Sequence, residues 1–175
     1  MKNYRLFLRS ACAGFLLISL SSGAEELSGK IVRILDGDTV ELVTLPANVP
    51  AVEVPVRVRL NGIDAPEKKQ AYGQRSKQHL ADLIGGKWVK VIFTKHDRYQ
   101  RLLGDIVMKE CKPECHTLDV NADMVNAGMA WAYRYHNEAT SPKMASLEAT
   151  ARSRKQGLWK DSNPVEPWKW RREHH

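Results

Sequence analysis

The sequence predicts an α+β fold that consists mainly of a small closed β-barrel with helices packed around it. Segments in the first two thirds of the chain alternate apolar and polar residues, as strands with one buried face do, whereas the last third carries helix signals. Short strands that are interrupted and followed by helices favour such a barrel. With 43% apolar and 27% charged residues, the 175-residue chain is typical of one globular domain and not of a disordered, collagen-like or multi-domain chain.

Residues 1–24 are typical of a secretory signal peptide. Three basic residues, Lys2, Arg5 and Arg9, precede an apolar run over 11–20, which is too short for a membrane span, and small residues follow it. We therefore expect an exported protein, periplasmic or secreted, that does not contact the membrane after cleavage. The segment holds three of the 27 basic residues and none of the 20 acidic ones, so its loss lowers the net charge from +7 to +4. That charge is compatible with a polyanionic partner but is weak support for one.

Five strands are predicted for the barrel. Residues 28–45 alternate in polarity and are broken at Asp36-Gly37-Asp38, which indicates two strands joined by a tight turn. After a loop that contains two prolines, valines and a leucine at every second position predict a third strand, with Arg57 and Arg59 on its opposite face. The same alternation predicts two further strands, over residues 88–94 and 102–108.

Three helices are predicted around these strands. The first spans residues 73–84, with Leu80, Leu83 and Ile84 on one side and a glycine after it. Asp119 is a suitable cap for a short second helix that ends before Gly128. Ser141 followed by proline is a favourable start for the third helix. The domain is therefore expected to span residues 25–160.

Residues 161–175 form a C-terminal tail rich in proline and tryptophan, which we expect to be irregular. The segment from Pro167 to Arg172 mixes aromatic and cationic side chains, as surfaces that bind single-stranded nucleic acids do. Tryptophans in such tails more often fold back and cover the barrel. Both interpretations remain open, and the second is favoured.

Cys111 and Cys115 are the two cysteines outside the signal segment. In an oxidising compartment a local disulfide is the favoured interpretation, and closing so short a loop would contribute about 2 kcal/mol. Alternatively, both cysteines and His116 would bind a metal ion, although no fourth ligand is evident.

Three polar clusters lie at predicted strand ends beside turns. In chain order they are Asp36-Gly37-Asp38-Thr39, the segment from Arg59 to Glu67, and Asp97-Arg98-Tyr99-Gln100-Arg101. Each alone is compatible with a solvated turn. Together they supply carboxylates that bind hard cations and guanidinium groups that bind phosphate. With a carboxylate to accept a proton from water, this inventory suits the hydrolysis of a phosphodiester.

The three clusters, in this order, resemble the thermonuclease (staphylococcal nuclease-like) family, and the resemblance runs from about Gly29 to Trp159. It implies a five-stranded OB-fold barrel with three flanking helices, in a secreted bacterial member of the family. It also implies a monomeric, calcium-dependent nuclease that cleaves DNA and RNA with little sequence preference. The alternative is a non-catalytic OB-fold protein that binds nucleic acid, which we would expect to lack the metal-binding carboxylates or the phosphate-binding arginines.

The resemblance implies a calcium site at the first two clusters. Asp38 and Asp64 would bind the ion together with the main-chain carbonyl of Ala65, and Asp36 would support the water molecules around it. Alanine at 65 replaces a threonine of the family, which should leave a main-chain ligand intact. Calcium takes six to eight oxygen ligands, so we expect weak binding that becomes tighter when a substrate phosphate completes the set.

The resemblance also implies the catalytic residues and the nucleotide pocket. Arg59 and Arg101 would bind the phosphate and stabilise its developing charge, and Glu67 would act as the general base or position the attacking water. Four residues would line the nucleotide pocket: Arg98, Tyr99, Tyr133 and Tyr135. Packing at the barrel rim is an equally plausible interpretation for the last two. Gln100 replaces a glycine of the family, which leaves the geometry of the loop before Arg101 open.

Overall fold

The computed structural model describes residues 23–44, 54–111 and 113–174. The predicted signal peptide lies outside these residues up to position 22, as does most of the loop that contains Pro46 and Pro50. The strands in the described ranges are β1 (Glu25–Ile34), β2 (Thr39–Thr44), β3 (Val54–Leu60), β4 (Ile63–Asp64), β5 (Trp88–His96), β6 (Leu102–Cys111), β7 (Cys115–Asp119), β8 (Trp131–Ala132), β9 (Arg134–Tyr135) and β10 (Glu138–Ala139). The helices are α1 (Gly73–Ile84), α2 (Val120–Asn126), α3 (Pro142–Ser153), a 3₁₀ turn (Gly157–Lys160) and α4 (Pro167–Glu173).

Five strands close into a barrel, which confirms the predicted α+β fold. The sheet order is β3-β2-β1-β5-β6-β7, and β3 also pairs in parallel with β6, so the first five of these strands form a closed surface. Val40 and Leu42 of β2 and Val58 of β3 point inward and are fully buried. In this sheet β7 is added to the closed barrel at the outer edge of β6. The predicted alternation therefore points the apolar side chains into one core.

The helices begin and end close to the predicted positions. The first helix has the predicted bounds, 73–84. Asp119 caps α2 by accepting a hydrogen bond from the amide of Ala122 (2.9 Å), and Ser141 caps α3 by accepting one from Met144 (3.3 Å). On α2, the buried Asn121 donates to the carbonyl of Asn61 (3.0 Å) and accepts from the amide of Ile106 (3.1 Å). That side chain attaches the helix to the barrel beside the end of β3.

The expectation of an irregular tail is wrong, because residues Pro167–Glu173 form α4, a helix in addition to the three predicted ones. Proline has no amide hydrogen to lose at the first helical position, so Pro167 starts a helix in a segment whose prolines had led us to expect an irregular tail. Trp168 lies edge-on against Trp131 with ring centroids 5.6 Å apart, and Pro167 is buried. The tail therefore folds back against Trp131 of β8, as the favoured interpretation of its tryptophans expected.

A disulfide joins Cys111 and Cys115 at the facing ends of β6 and β7. Both sulfur atoms are therefore used, which excludes the alternative metal site with His116. The pairing makes residues 102–119 a hairpin that extends the barrel sheet. None of the helices in the described ranges combines the length and the hydrophobicity that crossing a bilayer requires.

Candidate active site

A cleft of about 910 Å³ lies at one end of the barrel, where several strand connections meet. Its walls include ten of the eleven residues predicted for the metal, catalytic and nucleotide roles: Asp36, Asp38, Arg59, Ala65, Glu67, Arg98, Tyr99, Arg101, Tyr133 and Tyr135. The eleventh, Asp64, lies beneath this surface with 1% of its side chain exposed. The structure thus brings together residues that are spread over a hundred positions of the chain.

Strand pairing explains why these residues converge. Thr39 pairs with Arg59 across β2 and β3, which places the turn that carries Asp38 beside the arginine. Arg59 in turn lies opposite Leu103 in the parallel pair of β3 with β6, next to the turn that carries Arg101. The Asp38 carboxylate accepts a hydrogen bond from the amide of Ala65 (2.7 Å). That bond ties the first turn to the segment after β4.

Glycine is required at position 37 of the first turn because α1 passes directly over it. A Cβ atom there would overlap with the side chains of Ser76 and Ala65. The close approach lets the turn fold under the helix, and the Asp36 carboxylate accepts a hydrogen bond from the amide of Asp38 (3.1 Å). The two carboxylates therefore face the same cleft.

Arg59 is the central cation of the acidic side of the cleft. Only 14% of its side chain is exposed, and its guanidinium group contacts both Asp38 and Asp64, the latter at 3.0 Å. The period of two predicted an outward position for Arg59, on the same face as Arg57. Arg57 is solvent-exposed there and pairs with Glu41, whereas Arg59 is enclosed by the two aspartates.

Arg171 on α4 is a second cation on the same acids, and the sequence interpretation missed it. One Nη atom donates to both Asp64 (3.1 Å) and Glu67 (2.7 Å), and the other donates to the second oxygen of Asp64 (2.7 Å). Arg171 lies 107 positions from Asp64. No local pattern signals a contact at that separation.

Arg101 also lines the cleft, in a turn organised by Asp97. The Asp97 carboxylate accepts hydrogen bonds from the amides of Tyr99 (2.8 Å) and Arg101 (3.0 Å), and it also pairs with the Arg101 guanidinium group (2.6 Å). Gln100 adopts a left-handed conformation, with φ of 61°. The turn therefore keeps the backbone geometry that glycine favours, at a cost of about 1 kcal/mol for a residue with a Cβ.

Three tyrosines present exposed rings along the cleft. Tyr99 is 63% exposed, Tyr133 40% and Tyr135 65%. The guanidinium groups of Arg98 and Arg101 lie 4.8 and 5.3 Å from the centre of the Tyr99 ring. The rings of Tyr133 and Tyr135 are thus partly exposed beside the cleft, and the Tyr135 ring lies edge-on to that of His136.

The sequence model described as staphylococcal nuclease homologue matches residues 57–161, which is more than half of the chain. The chain belongs to the staphylococcal nuclease family. The family assignment agrees with the closed barrel, which has the family's OB-fold, and with the order of the three polar clusters.

Relatives cover nearly the whole length of this family member. Micrococcal nuclease of Shigella flexneri is 42% identical over 174 residues, which is 98% of this chain and 96% of the relative. A protein named ParB of Escherichia coli is 46% identical over 168 residues, covering 95% of this chain and 91% of its own. An uncharacterised endonuclease of Haemophilus influenzae is 36% identical over 173 residues, covering 99% and 88%. The protein is a phosphodiester-hydrolysing nuclease, and its substrates are nucleic acids.

The carboxylates in the cleft of this nuclease have pKa values that are shifted in different directions. Burial and the neighbouring charge of Asp38 raise the pKa of Asp36 to about 7. Burial also acts to raise the pKa of Asp38, but the charge of Arg59 and the Ala65 amide outweigh it, so this pKa lies below its usual value. Burial raises the pKa of Asp64, and the two guanidinium groups that contact it act in the opposite direction.

The donor set of the nuclease fits a hard divalent cation. Asp38 and Asp64 contact one guanidinium group, so their oxygen atoms converge on a single positive charge, and carboxylate oxygens are the ligands such cations prefer. Both oxygens of Asp64 accept hydrogen bonds from Arg171. Across residues 23–44, 54–111 and 113–174, no three Asp, Glu, His or Cys side chains are grouped to hold a metal ion. In this arrangement the arginines neutralise the acids.

Gln70 is another residue that the sequence interpretation missed. Its side-chain oxygen accepts from the amide of Glu67 (3.0 Å), and its nitrogen donates to the carbonyl of Val165 (2.6 Å). The buried Gln70 thus connects the backbone that carries Glu67 to the C-terminal tail. A single glutamine in a polar segment gives no sequence signal of such a role.

Proposed function

We propose that this nuclease requires calcium and cleaves both DNA and RNA with little sequence preference. The observation that carries the proposal is the meeting of two buried aspartates, a glutamate and the arginines Arg59 and Arg101 around one cleft. Such a set can bind a phosphodiester, neutralise the charge that develops on it and accept a proton from water. The non-catalytic alternative required the loss of some of these groups, and all of them are present.

Asp38, Asp64 and the carbonyl of Ala65 would hold the ion. When bound, calcium would supply positive charge beside the phosphate and oxygen-rich coordination that accepts a phosphate oxygen. Alanine at position 65 suits this role because only main-chain atoms take part. The raised pKa of Asp36 follows from burial beside Asp38, and a neighbouring divalent charge would favour its ionised form.

Glu67 and Arg101 would carry the chemical step. Glu67 lies at the cleft wall with 38% of its side chain exposed, so its carboxylate can reach a water molecule and accept its proton. Arg101 also lines the cleft, where its guanidinium group can donate to the non-bridging oxygens of the phosphate. Arg59, between the aspartates, would add positive charge from below.

Low sequence preference follows from what the cleft offers. The charged groups address phosphate oxygens, which carry no sequence information. The exposed rings of Tyr99, Tyr133 and Tyr135 can stack on any base, since every base has an aromatic face. Neither kind of contact distinguishes deoxyribose from ribose.

Digestion of single-stranded DNA, double-stranded DNA and RNA by residues 25–175 tests the proposal. We expect all three to be cleaved with calcium and none with a chelator, and Glu67→Gln to cleave them at least about 100 times more slowly with calcium. Activity that persists in the chelator, or that magnesium supports and calcium does not, would contradict the metal assignment. Cleavage of only one polymer would contradict the broad specificity.

We also propose that the protein is exported and acts as a monomer. Export is supported by the basic, apolar and small residues of positions 1–24, which lie almost entirely outside the described ranges. The monomer is supported by the cleft, for which one chain supplies every predicted residue. N-terminal sequencing of the protein from the periplasm or medium, and light scattering of the purified chain, test the two statements.

A further inference from the structure

Arg171 connects helix α4 to the acidic wall of the cleft. Its guanidinium group binds both oxygens of Asp64 and one oxygen of Glu67 at distances of 2.7 to 3.1 Å. These two carboxylates are the proposed calcium ligand and the proposed general base. Arg59 also contacts Asp64, so the buried aspartate has two arginine partners.

Contacts that do not involve Arg171 hold α4 in place. Trp168 packs edge-on against Trp131, and the Arg134 guanidinium group lies 5.6 Å from the centre of the Trp168 ring. Gln70 donates to the carbonyl of Val165 just before the helix. The helix therefore keeps Arg171 at the cleft as a tethered cation, at a high effective concentration.

We propose that Arg171 competes with the divalent cation, so that its guanidinium group must leave Asp64 and Glu67 before the ion binds to Asp64. The inference rests on the proposed function, in the part that assigns calcium to Asp38 and Asp64. Both Asp64 oxygens accept hydrogen bonds from Arg171, and a cation ligated by those oxygens would lie next to a guanidinium charge that repels it. The same displacement frees the Glu67 carboxylate to act on water.

In competition of this kind, the apparent association constant for the metal is the intrinsic constant multiplied by a fraction. That fraction is the share of molecules in which Asp64 and Glu67 are not bound to Arg171. The Arg171 contacts are charge-assisted hydrogen bonds to a carboxylate that is almost completely buried. Hydrogen bonds to charged groups are strong enough that the acids should be bound to Arg171 about 10 to 100 times more often than they are free of it. Calcium affinity should therefore be weaker than the carboxylates alone would give, by the same factor.

Calorimetric titration of metal-free residues 25–175 with calcium tests the proposal. Arg171→Gln should bind calcium about 10 to 100 times more tightly than the unchanged protein. Arg172→Gln is the matched control, because it removes the same charge from the next, solvent-exposed position of the same helix. It should change the affinity by no more than about twofold, as expected for an exposed charge in salt. Arg171→Lys, which keeps the charge without the planar two-nitrogen contact, should be intermediate.

Equal calcium affinity of Arg171→Gln and the unchanged protein would overturn the competition while leaving the calcium site in place. Equal tightening by Arg171→Gln and Arg172→Gln would also overturn it, because net charge would then explain both. Absence of calcium binding in every variant would overturn the competition and the metal assignment together.

A second measurement follows the unchanged protein and needs a conservative variant only to assign the resonance. The Nε–H resonance of Arg171, assigned by its loss in Arg171→Lys, should move when calcium is added to saturation, and that of Arg172 should not. An Arg171 resonance that stays in place at saturating calcium would contradict the displacement.

Discussion

Replacing Arg59 with methionine removes the positive charge between two buried aspartates and keeps an unbranched apolar side chain of about the length of the arginine stem. In the structure 14% of Arg59, 9% of Asp38 and 1% of Asp64 is exposed, so water cannot replace the lost charge. Removing one partner of a buried ion pair costs about 3 to 5 kcal/mol of unfolding free energy, because a charge is left buried without compensation. Asp64 keeps its contacts with Arg171, so only Asp38 loses its cation. We therefore expect a loss of about 3 kcal/mol, at the lower end of that range.

The loss should grow with pH. With Arg59 present, the pKa of Asp38 lies below its usual value, so this group contributes stability that is present above its unfolded pKa and is lost only as the pH falls through the folded value. Without Arg59, burial is no longer outweighed and the pKa of Asp38 rises. Stability is then lost as the pH increases towards the new folded value. Arg59→Met should accordingly be more destabilising at pH 8 than at pH 4.

Urea unfolding followed by tryptophan fluorescence, in a chelator and at both pH values, measures the effect. Arg57→Met is the matched control on the same strand, because Arg57 is 52% exposed and its pair with Glu41 is at the surface. That variant should lose no more than about 1 kcal/mol, with little dependence on pH. If Arg59→Met were no more destabilising than Arg57→Met at pH 8, Arg59 would not be the counter-charge of Asp38.

Three further predictions concern activity, pH and metal binding. Arg101→Ala and Glu67→Gln should each lower kcat on DNA by about 100-fold or more, since each removes a group that acts on the transition state. Midpoints of urea unfolding close to that of the unchanged protein would show that the loss is catalytic. Normal turnover of either variant would remove that residue from the mechanism. Asp36 has a folded pKa of about 7 against an ordinary value of 3.8, so metal-free protein should lose stability as the pH rises between these values, by up to about 1.4 kcal/mol per pH unit. Asp36→Asn should flatten that slope in thermal unfolding, and an unchanged slope would assign it to another group. Calcium should bind more tightly in the presence of a nucleotide that supplies a phosphate ligand, and calorimetry that gives equal affinities would contradict the coupling.

Local chemistry explains why so much of the barrel could be predicted. The period of two in β3 places Val56, Val58 and Leu60 on one face and the arginines on the other, because successive side chains of a strand point to opposite sides. The capping residues Asp119 and Ser141 each accept a hydrogen bond from the amide three positions later. The starts of α2 and α3 can therefore be predicted from a few neighbouring residues. The tail helix was missed because a proline such as Pro167 is compatible both with the first position of a helix and with an irregular segment.

The candidate site also has features that could be predicted from the sequence and features that could not. The acids and arginines of the three clusters could be named from their chain order and their resemblance to the family, and the structure places them around one cleft. Which arginine neutralises which acid could not be predicted from the chain order or the resemblance. Arg59 faces outward on its strand as predicted, but only the folded turn and β4 decide that this face is closed by Asp38 and Asp64.

The sequence by itself determined the five barrel strands, the caps, the turn at Asp36-Gly37-Asp38 and the acids and arginines of the three polar clusters. Strands, caps and turns depend on neighbours along the chain. Only the tertiary structure decided which charges meet. Packing of Trp168 on Trp131 brings Arg171 to acids more than a hundred positions away. Coulomb attraction depends on distance in space and on the loss of solvent, and neither quantity is written in the order of the residues.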